Sequence, residues 1–192
     1  MKFITHLIGY PAAGKLTIAN EIAKDGNFKI FDNHTINNVL FCLTDLSTTL
    51  PAFKDKYINK LYEVAFEYFT KLGIKDDLIF TNFLTNSKDD KEFYKLITKF
   101  AKDINHTYVP VILKPNEKTL LSRVVNEERA KKMKLTNTDI AKQVYKYDMI
   151  EIKNKNKLEI DNSNLSPEQT KQIILNRVNL TNISLFWEKQ TY

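Results

Sequence analysis

The chain has 192 residues, 43% hydrophobic and 11% aromatic, with 29 lysines and arginines against 23 acids for a net charge of +6. A chain of this size buries roughly 70% of its unfolded surface, so one folded domain over residues 1–192 is expected and a disordered chain is excluded. No apolar run approaches the roughly 20 residues of a transmembrane helix, and MKFITHLIGYP is broken too early for a signal peptide.

Lys2–Ile8 (KFITHLI) is a short apolar run stopped by Gly9, which predicts a buried first strand. Leu16–Lys24 has apolar residues at 16, 18, 19, 22 and 23, the spacing of a helix, and Asp25-Gly26-Asn27 ends it. Phe28–Phe31 predicts a second strand, followed by a helical piece over Thr35–Leu43. Cys42, in the apolar string VLFCL, is expected in the core; as the single cysteine it has no internal disulfide partner, which predicts a reducing, cytoplasmic setting. Pro51 opens a longer helix to Leu72, stopped by Gly73, whose aromatics Phe53, Tyr57, Phe66, Tyr68 and Phe69 are expected mostly in the core. Leu78–Phe83 predicts a third strand. Ser87 with Asp90 signals a cap before a helix at Glu92–Ile104, apolar at 93, 96, 97 and 100. Tyr108–Leu113 predicts a fourth strand, with Pro110 marking a local irregularity or a less central start. Asn116 caps a helix through Leu120, Leu121, Val124 and Val125, and residues 127–138 are polar and poorly patterned. A helix is predicted over Thr138–Ile152 and a very short strand over Leu158–Ile160. Ser166-Pro167-Glu168-Gln169 then starts a last helix running to about Leu180, ahead of a tail with Trp187. Strands alternating with helices predict an α/β fold, a parallel sheet covered on both faces.

The chain has only four glycines, of which Gly9 and Gly14 lie five apart, and three arginines, of which Arg123 and Arg129 lie six apart. Gly9-Tyr10-Pro11-Ala12-Ala13-Gly14-Lys15 lies between the first strand and the first helix, with the spacing of a phosphate-binding loop. A phosphate needs several backbone N–H groups turned inward; glycines permit that path, and the following helix adds its positive end. Lys15 would reach the β- and γ-phosphates as a mobile point charge. The position after the lysine, where a hydroxyl would ligate Mg²⁺, is Leu16, and the hydroxyl comes one later at Thr17. The ion is then expected on other oxygens and waters, since Mg²⁺ keeps several waters and few protein ligands.

With these motifs the chain resembles the small-molecule kinases of the P-loop superfamily, the nucleoside monophosphate kinases and especially the shikimate-kinase-like group. GYPAAGKLT is similar to the loop of that group, and FDNH falls where shikimate-type kinases carry an acidic substrate and metal motif. Arg123 and Arg129 resemble adenine-stacking and lid arginines; LEIDNSNLSPEQ resembles the last strand, an adenine-side loop containing Asn162, and the C-terminal helix. The resemblance implies a three-layer α/β/α domain with a five-stranded parallel sheet in the order 2-3-1-4-5. It also implies an acceptor-binding region over about 32–75, a lid over about 126–138, and ATP with Mg²⁺ as phosphoryl donor. The chain departs from the group at His34, which stands where a second Asp belongs, and at Leu16.

Asp32 closes the second strand, where ligands gather in open α/β sheets; it suits a base for the substrate hydroxyl, a water-bridged Mg²⁺ contact, or a helix cap. His34 suits a substrate contact or base, and equally a cap or buried histidine. Thr81 and Asn82 end the third strand, facing substrate or making strand-end hydrogen bonds. The guanidinium fork of Arg123 and Arg129 suits a ring or phosphate, or a surface ion pair. Arg177 is expected to be structural, and His6 and His106 lack metal-ligand spacing. The best-supported activity is transfer of the γ-phosphoryl of ATP to a small metabolite or nucleotide, by a monomer or homodimer. The alternative is a P-loop ATP-binding regulator or ATPase without kinase activity. A GTPase is disfavoured because Asn154-Lys155-Asn156-Lys157 lacks the aspartate of a base-reading motif. The positive charge is dispersed lysine without blocks, so neither nucleic acid nor membrane is expected as a partner.

Overall fold

The computed structural model describes residues 2–24, 26–42, 51–126, 129 and 134–188. In chain order these form β1 (Phe3–Gly9), α1 (Lys15–Ala23), β2 (Phe28–Asp32), α2 (Asn33–Phe41), α3 (Pro51–Leu72), β3 (Asp77–Asn82) and α4 (Lys88–Asp103). There follow β4 (Thr107–Leu113), α5 (Glu117–Val124), α6 (Thr138–Val144), β5 (Leu158–Ile160) and α7 (Pro167–Glu188). The strands make one parallel sheet in the order β2-β3-β1-β4-β5, as the resemblance implied.

β1 is central and buried at all seven positions, which is why its apolar residues run on without alternating with polar ones. Ile4 and Ile8 join one hydrophobic layer with Tyr62 and Phe66 of α3 and Phe93, Ile97 and Phe100 of α4. Phe66 and Phe100 stack there with centroids 4.3 Å apart and planes 5° from parallel. Phe3 and Leu7 join the opposite layer with Ile18, Ala19 and Ile22 of α1 and Ile174 and Val178 of α7. Short polar caps set the helix starts. Ser87 Oγ accepts from Asp90 N, Asn116 Oδ1 from Thr119 N, and Ser166 and Gln169 cap each other reciprocally at 3.1 and 2.9 Å. Pro110 pairs with His6 of β1, whereas β5 meets β4 only from Val111 onward, so the proline lies outside the stretch flanked on both sides.

Several expectations are corrected. The helix predicted over Thr138–Ile152 ends at Val144; beyond it Met149 bridges to Thr85, and Ile150 and Ile152 are buried against α3 and α4. Those two isoleucines are spaced i, i+2, the period of extended chain, and Ile150 N donates to Leu84 O at 3.0 Å. Cys42 is exposed, not core, because α2 turns this face outward, with Val39 also exposed. Tyr57 and Tyr68 lie on the outer side of α3, while Phe66 is buried, Phe69 packs at the edge of the core, and the Phe53 side chain falls outside the described residues. The last helix runs past Leu180 to Glu188, and within the 126–138 segment residues 127, 128 and 130–133 lie outside the described residues.

A polar network sits within the sheet. His6 is fully buried, with Nδ1 2.7 Å from the Tyr108 hydroxyl and Nε2 2.9 Å from Asn82 Oδ1. Asn82 Oδ1 can only accept, so Nε2 carries the proton and Nδ1 accepts from Tyr108, which is the neutral imidazole. Burial, first, and the charge of Lys15 pull its pKa from 6.5 to about 3 against the hydrogen bond to Asn82. Between those values the unfolded chain binds the proton and the native one does not, so acid destabilises the fold. Urea unfolding is expected to show stability falling below pH 6.5 by up to about 1.4 kcal/mol per pH unit from this group. His6→Gln should remove that component of the slope; equal slopes in both proteins would refute the assignment.

Candidate functional site

Because the sheet is parallel, its strands end along one edge. Gly9 pairs with Leu113, Asp32 with Thr81, and Ile8 with Asn82, so the loop after β1 and the ends of β2 and β3 share the position where open α/β sheets hold ligands. At Gly9 a Cβ would sit 2.9 Å from Leu113 O and 3.1 Å from Ala13 Cβ, so only glycine lets the loop turn back this tightly. Ala12 (φ 68°) and Gly14 (φ 91°) are left-handed, a pattern that turns successive N–H groups toward one concave side. Gly14 is also the N-cap of α1, with no side chain capping the helix and no acid in its first turn. The first N–H groups of α1 are therefore left for an anion.

Two tyrosines brace the loop. Tyr145 donates to Pro11 O at 3.1 Å, Tyr10 donates to Tyr147 O at 2.7 Å, and their rings meet edge to face at 5.3 Å. Lys15 folds over the loop, donating from Nζ to Gly9 O (2.7 Å) and Tyr10 O (2.9 Å). Its pKa falls from 10.5 to about 7, first through burial and then through the charge of Lys134, with Asp32 opposing and Arg129 adding to the fall.

A cavity of about 370 Å³ opens beside the loop, lined among others by Gly14, Leu16, Thr17, Arg123, Arg129, Lys134 and Asn162. Asn162 Nδ2 donates to Ala13 O at 2.9 Å, Arg123 donates to Asn162 O at 3.1 Å, and Asn162 Oδ1 is buried without a partner. That orphaned acceptor, in a cavity ringed by cations, fits an anionic ligand that also carries an N–H donor. Arg129 donates from Nε to Leu135 O at 3.0 Å. Burial lowers the pKa of Arg123, and that of Arg129 against the pull of Tyr145.

On the β2 side, Asp32 Oδ1 accepts from the Thr81 hydroxyl, and Oδ2 lies 3.9 Å from Lys134 Nζ. Burial pulls His34 below the usual imidazole range, opposed by Asp32 and reinforced by Lys134 and Lys15; its Nδ1 is buried without a partner. The residues singled out in the sequence thus form two adjoining groups. The loop, Arg123, Arg129 and Asn162 surround the cavity; Asp32, His34, Thr81 and Asn82 gather at the ends of β2 and β3. Arg177 stands apart, donating to Lys155 O at 2.7 Å. Lys134 and Tyr145 also shape the site and were not singled out, and His6, weighed in the sequence only as a metal ligand, shapes it through Asn82. The tyrosine and histidine read as ordinary core-period residues, and Lys134 is one lysine in a lysine-rich polar stretch.

Leu16 offers no metal oxygen, and among the described residues no group of three or more His, Cys, Asp or Glu side chains comes together. Asp32 is the carboxylate facing Lys15, a donor set that fits a largely hydrated ion bridged through water.

No family model and no curated protein matches the chain. Among solved structures it is similar to a gluconokinase from Sinorhizobium meliloti 1021, at 10% identity over 97% of each chain with a TM-score of 0.65. It is similar to a shikimate kinase from Aquifex aeolicus at 16% identity over 95% of this chain and 99% of that one, TM-score 0.54. A third is an APS kinase from Mycobacterium tuberculosis in complex with AMPPNP and APS, at 14% identity over 93% and 98%, TM-score 0.57. The chain shares the fold of these three kinases.

The shifted lysine makes anion binding pH-dependent. Lys15 loses its charge as pH rises through about 7, while sulfate stays fully ionised. Sulfate should protect against thermal unfolding at pH 6 and lose affinity by up to about tenfold per pH unit above 7. Lys15→Met should abolish the pH-dependent part, and unchanged protection at pH 9 would argue against a lysine-held anion.

Proposed function

We propose that the chain is an ATP-dependent phosphotransferase that moves the γ-phosphoryl group of ATP to a hydroxyl of a small molecule. The observation that carries this reading is Lys15 and the uncapped start of α1 facing Asp32 across the end of the sheet, an anion seat beside a carboxylate base. Residues 9–17 would hold the phosphates, with Arg123 and Asn162 toward the base. The segment over about 126–138 would act as a lid carrying Arg129, the acceptor would lie against 32–75, and the whole would work as one domain.

The acceptor hydroxyl oxygen attacks the γ-phosphorus; a new O–P bond forms and the bond to the β,γ-bridging oxygen breaks, releasing ADP. The hydroxyl proton passes to Asp32, kept in place by the Thr81 hydroxyl, and from there to water. Lys15, Lys134 and Arg129 meet the charge on the transferring group, so the work is positioning and electrostatic stabilisation. Asp32 would help to hold Mg²⁺ through water, and the ion would supply neutralisation of the phosphate charge. The GYPAAGKLT loop and the fold shared with the kinases named above support this reading. Leu16 favours the alternative, an ATP-binding regulator or ATPase that transfers nothing to an acceptor.

Two substitutions test the assignment. Lys15→Ala should abolish protection by ATP against thermal unfolding. Asp32→Asn should lower kcat by about a hundredfold or more while ATP affinity stays within about threefold. Retained protection in the first variant, or full turnover in the second, would remove the corresponding role. Arg129→Ala should erase any preference for ATP over ADP, measured by calorimetry; a preference kept intact would separate Arg129 from the γ-phosphate.

A further inference from the structure

Beside Asp32, a second cavity of about 130 Å³ is lined by Asn33, Asn37, Tyr62, Asn82 and Asp89, with Phe93 among its apolar walls. The Tyr62 side chain is 1% exposed, and its hydroxyl, like Asn37 Oδ1, is buried without a hydrogen-bond partner. Burial pushes the Tyr62 phenol above its usual pKa, the neighbouring Asn82 side chain opposes the rise, and the charge of Asp32 adds to it. Asn82 is held from below, its Oδ1 accepting from His6, and its side chain also acts on the Tyr62 hydroxyl at the cavity both residues line. The cavity thus offers the Asn37 carboxamide oxygen as a free acceptor and the Tyr62 phenol, set beside Asn82, as a donor and acceptor.

Its electrostatics are one-sided. All three arginines of the chain lie at 123 or later, so no guanidinium comes from residues 1–122. The cavity shares Asn59, Asp89 and Phe93 with an outer groove that adds Glu63, Glu92 and Lys60. Lys60 holds its ammonium 5.6 Å over the Tyr57 ring, and the remaining charges of that groove are acids. A carboxylate or phosphate entering here would lose hydration beside Asp89, and among the described residues lining this cavity it would gain only neutral partners, with Lys134 already set against Asp32. A hydroxyl-bearing molecule matches the amides and the phenol, and an ammonium gains from Asp89.

Resting on the phosphotransferase reading, we propose that this cavity selects a non-anionic polyhydroxyl acceptor, neutral or amine-bearing, and excludes acids and phosphate esters. The site donates to and accepts from the hydroxyls, while Asp89 faces the mouth.

Calorimetric titration of the full chain saturated with AMP-PNP tests this, using myo-inositol, glucosamine and kanamycin against gluconate, shikimate and glucose 6-phosphate. At least one member of the first set should bind about tenfold or more tighter than every acid. Tyr62→Phe and Asn37→Leu should each weaken that binding about tenfold while AMP-PNP binding is retained, which shows that the variants fold. Asp89→Lys should weaken the amine-bearing members selectively. An acid binding as well as the others overturns the inference, as does no binding by either set to protein that still holds AMP-PNP. Failure of the wild-type chain to bind AMP-PNP overturns the phosphotransferase reading itself, and with it this one.

Discussion

The site depends on how β1 ends. At Gly9 a missing side chain lets the chain pass against the carbonyl of Leu113, where a Cβ would sit 2.9 Å away. From that contact the loop turns through two left-handed residues and enters α1 with its first N–H groups uncapped. Had β1 ended in any larger residue, β4 would have to yield or the loop would widen, and Lys15 would no longer reach the Gly9 and Tyr10 carbonyls. The buried strand behind it supplies the rigidity, since Ile4 and Ile8 are locked in one hydrophobic layer and Phe3 and Leu7 in the other.

Charge organises what surrounds the loop. Lys134 and Arg129 act against the charge of Lys15 while Asp32 supports it, so positive charge is concentrated on the loop side of Asp32. Across Asp32 the pattern reverses. Carboxamides, a phenol and acids replace the cations, so the two adjoining cavities differ in sign as well as in shape.

Much of this was legible in the chain. The glycine spacing located the loop, Ser87, Asn116 and Ser166 marked the helix starts where caps are found, and unbroken apolar runs marked the central strands. The misreadings have physical causes. Residues 145–152 carry Ile150 and Ile152 two apart, an extended period that the helical pattern of the preceding turns masked, and their burial in the core layer of α3 and α4 fixes the extended form. Cys42 lies in an apolar string, yet α2 is short and covers little of the sheet, so composition overstated its burial. The role of Lys134 beside Asp32 depends on a contact between residues about a hundred positions apart, and Tyr62 sat unmarked within the aromatic period of α3. Both are set by tertiary packing, which local patterning does not encode.

The paired tyrosines carry a mechanical consequence. Tyr145 holds Pro11 and Tyr147 holds Tyr10, which ties the chain just after α6 to the loop by two hydrogen bonds and a ring contact. Residues 145–147 therefore act as a fixed anchor. A displacement of α6 is felt first at Tyr10 and Pro11, on the loop itself.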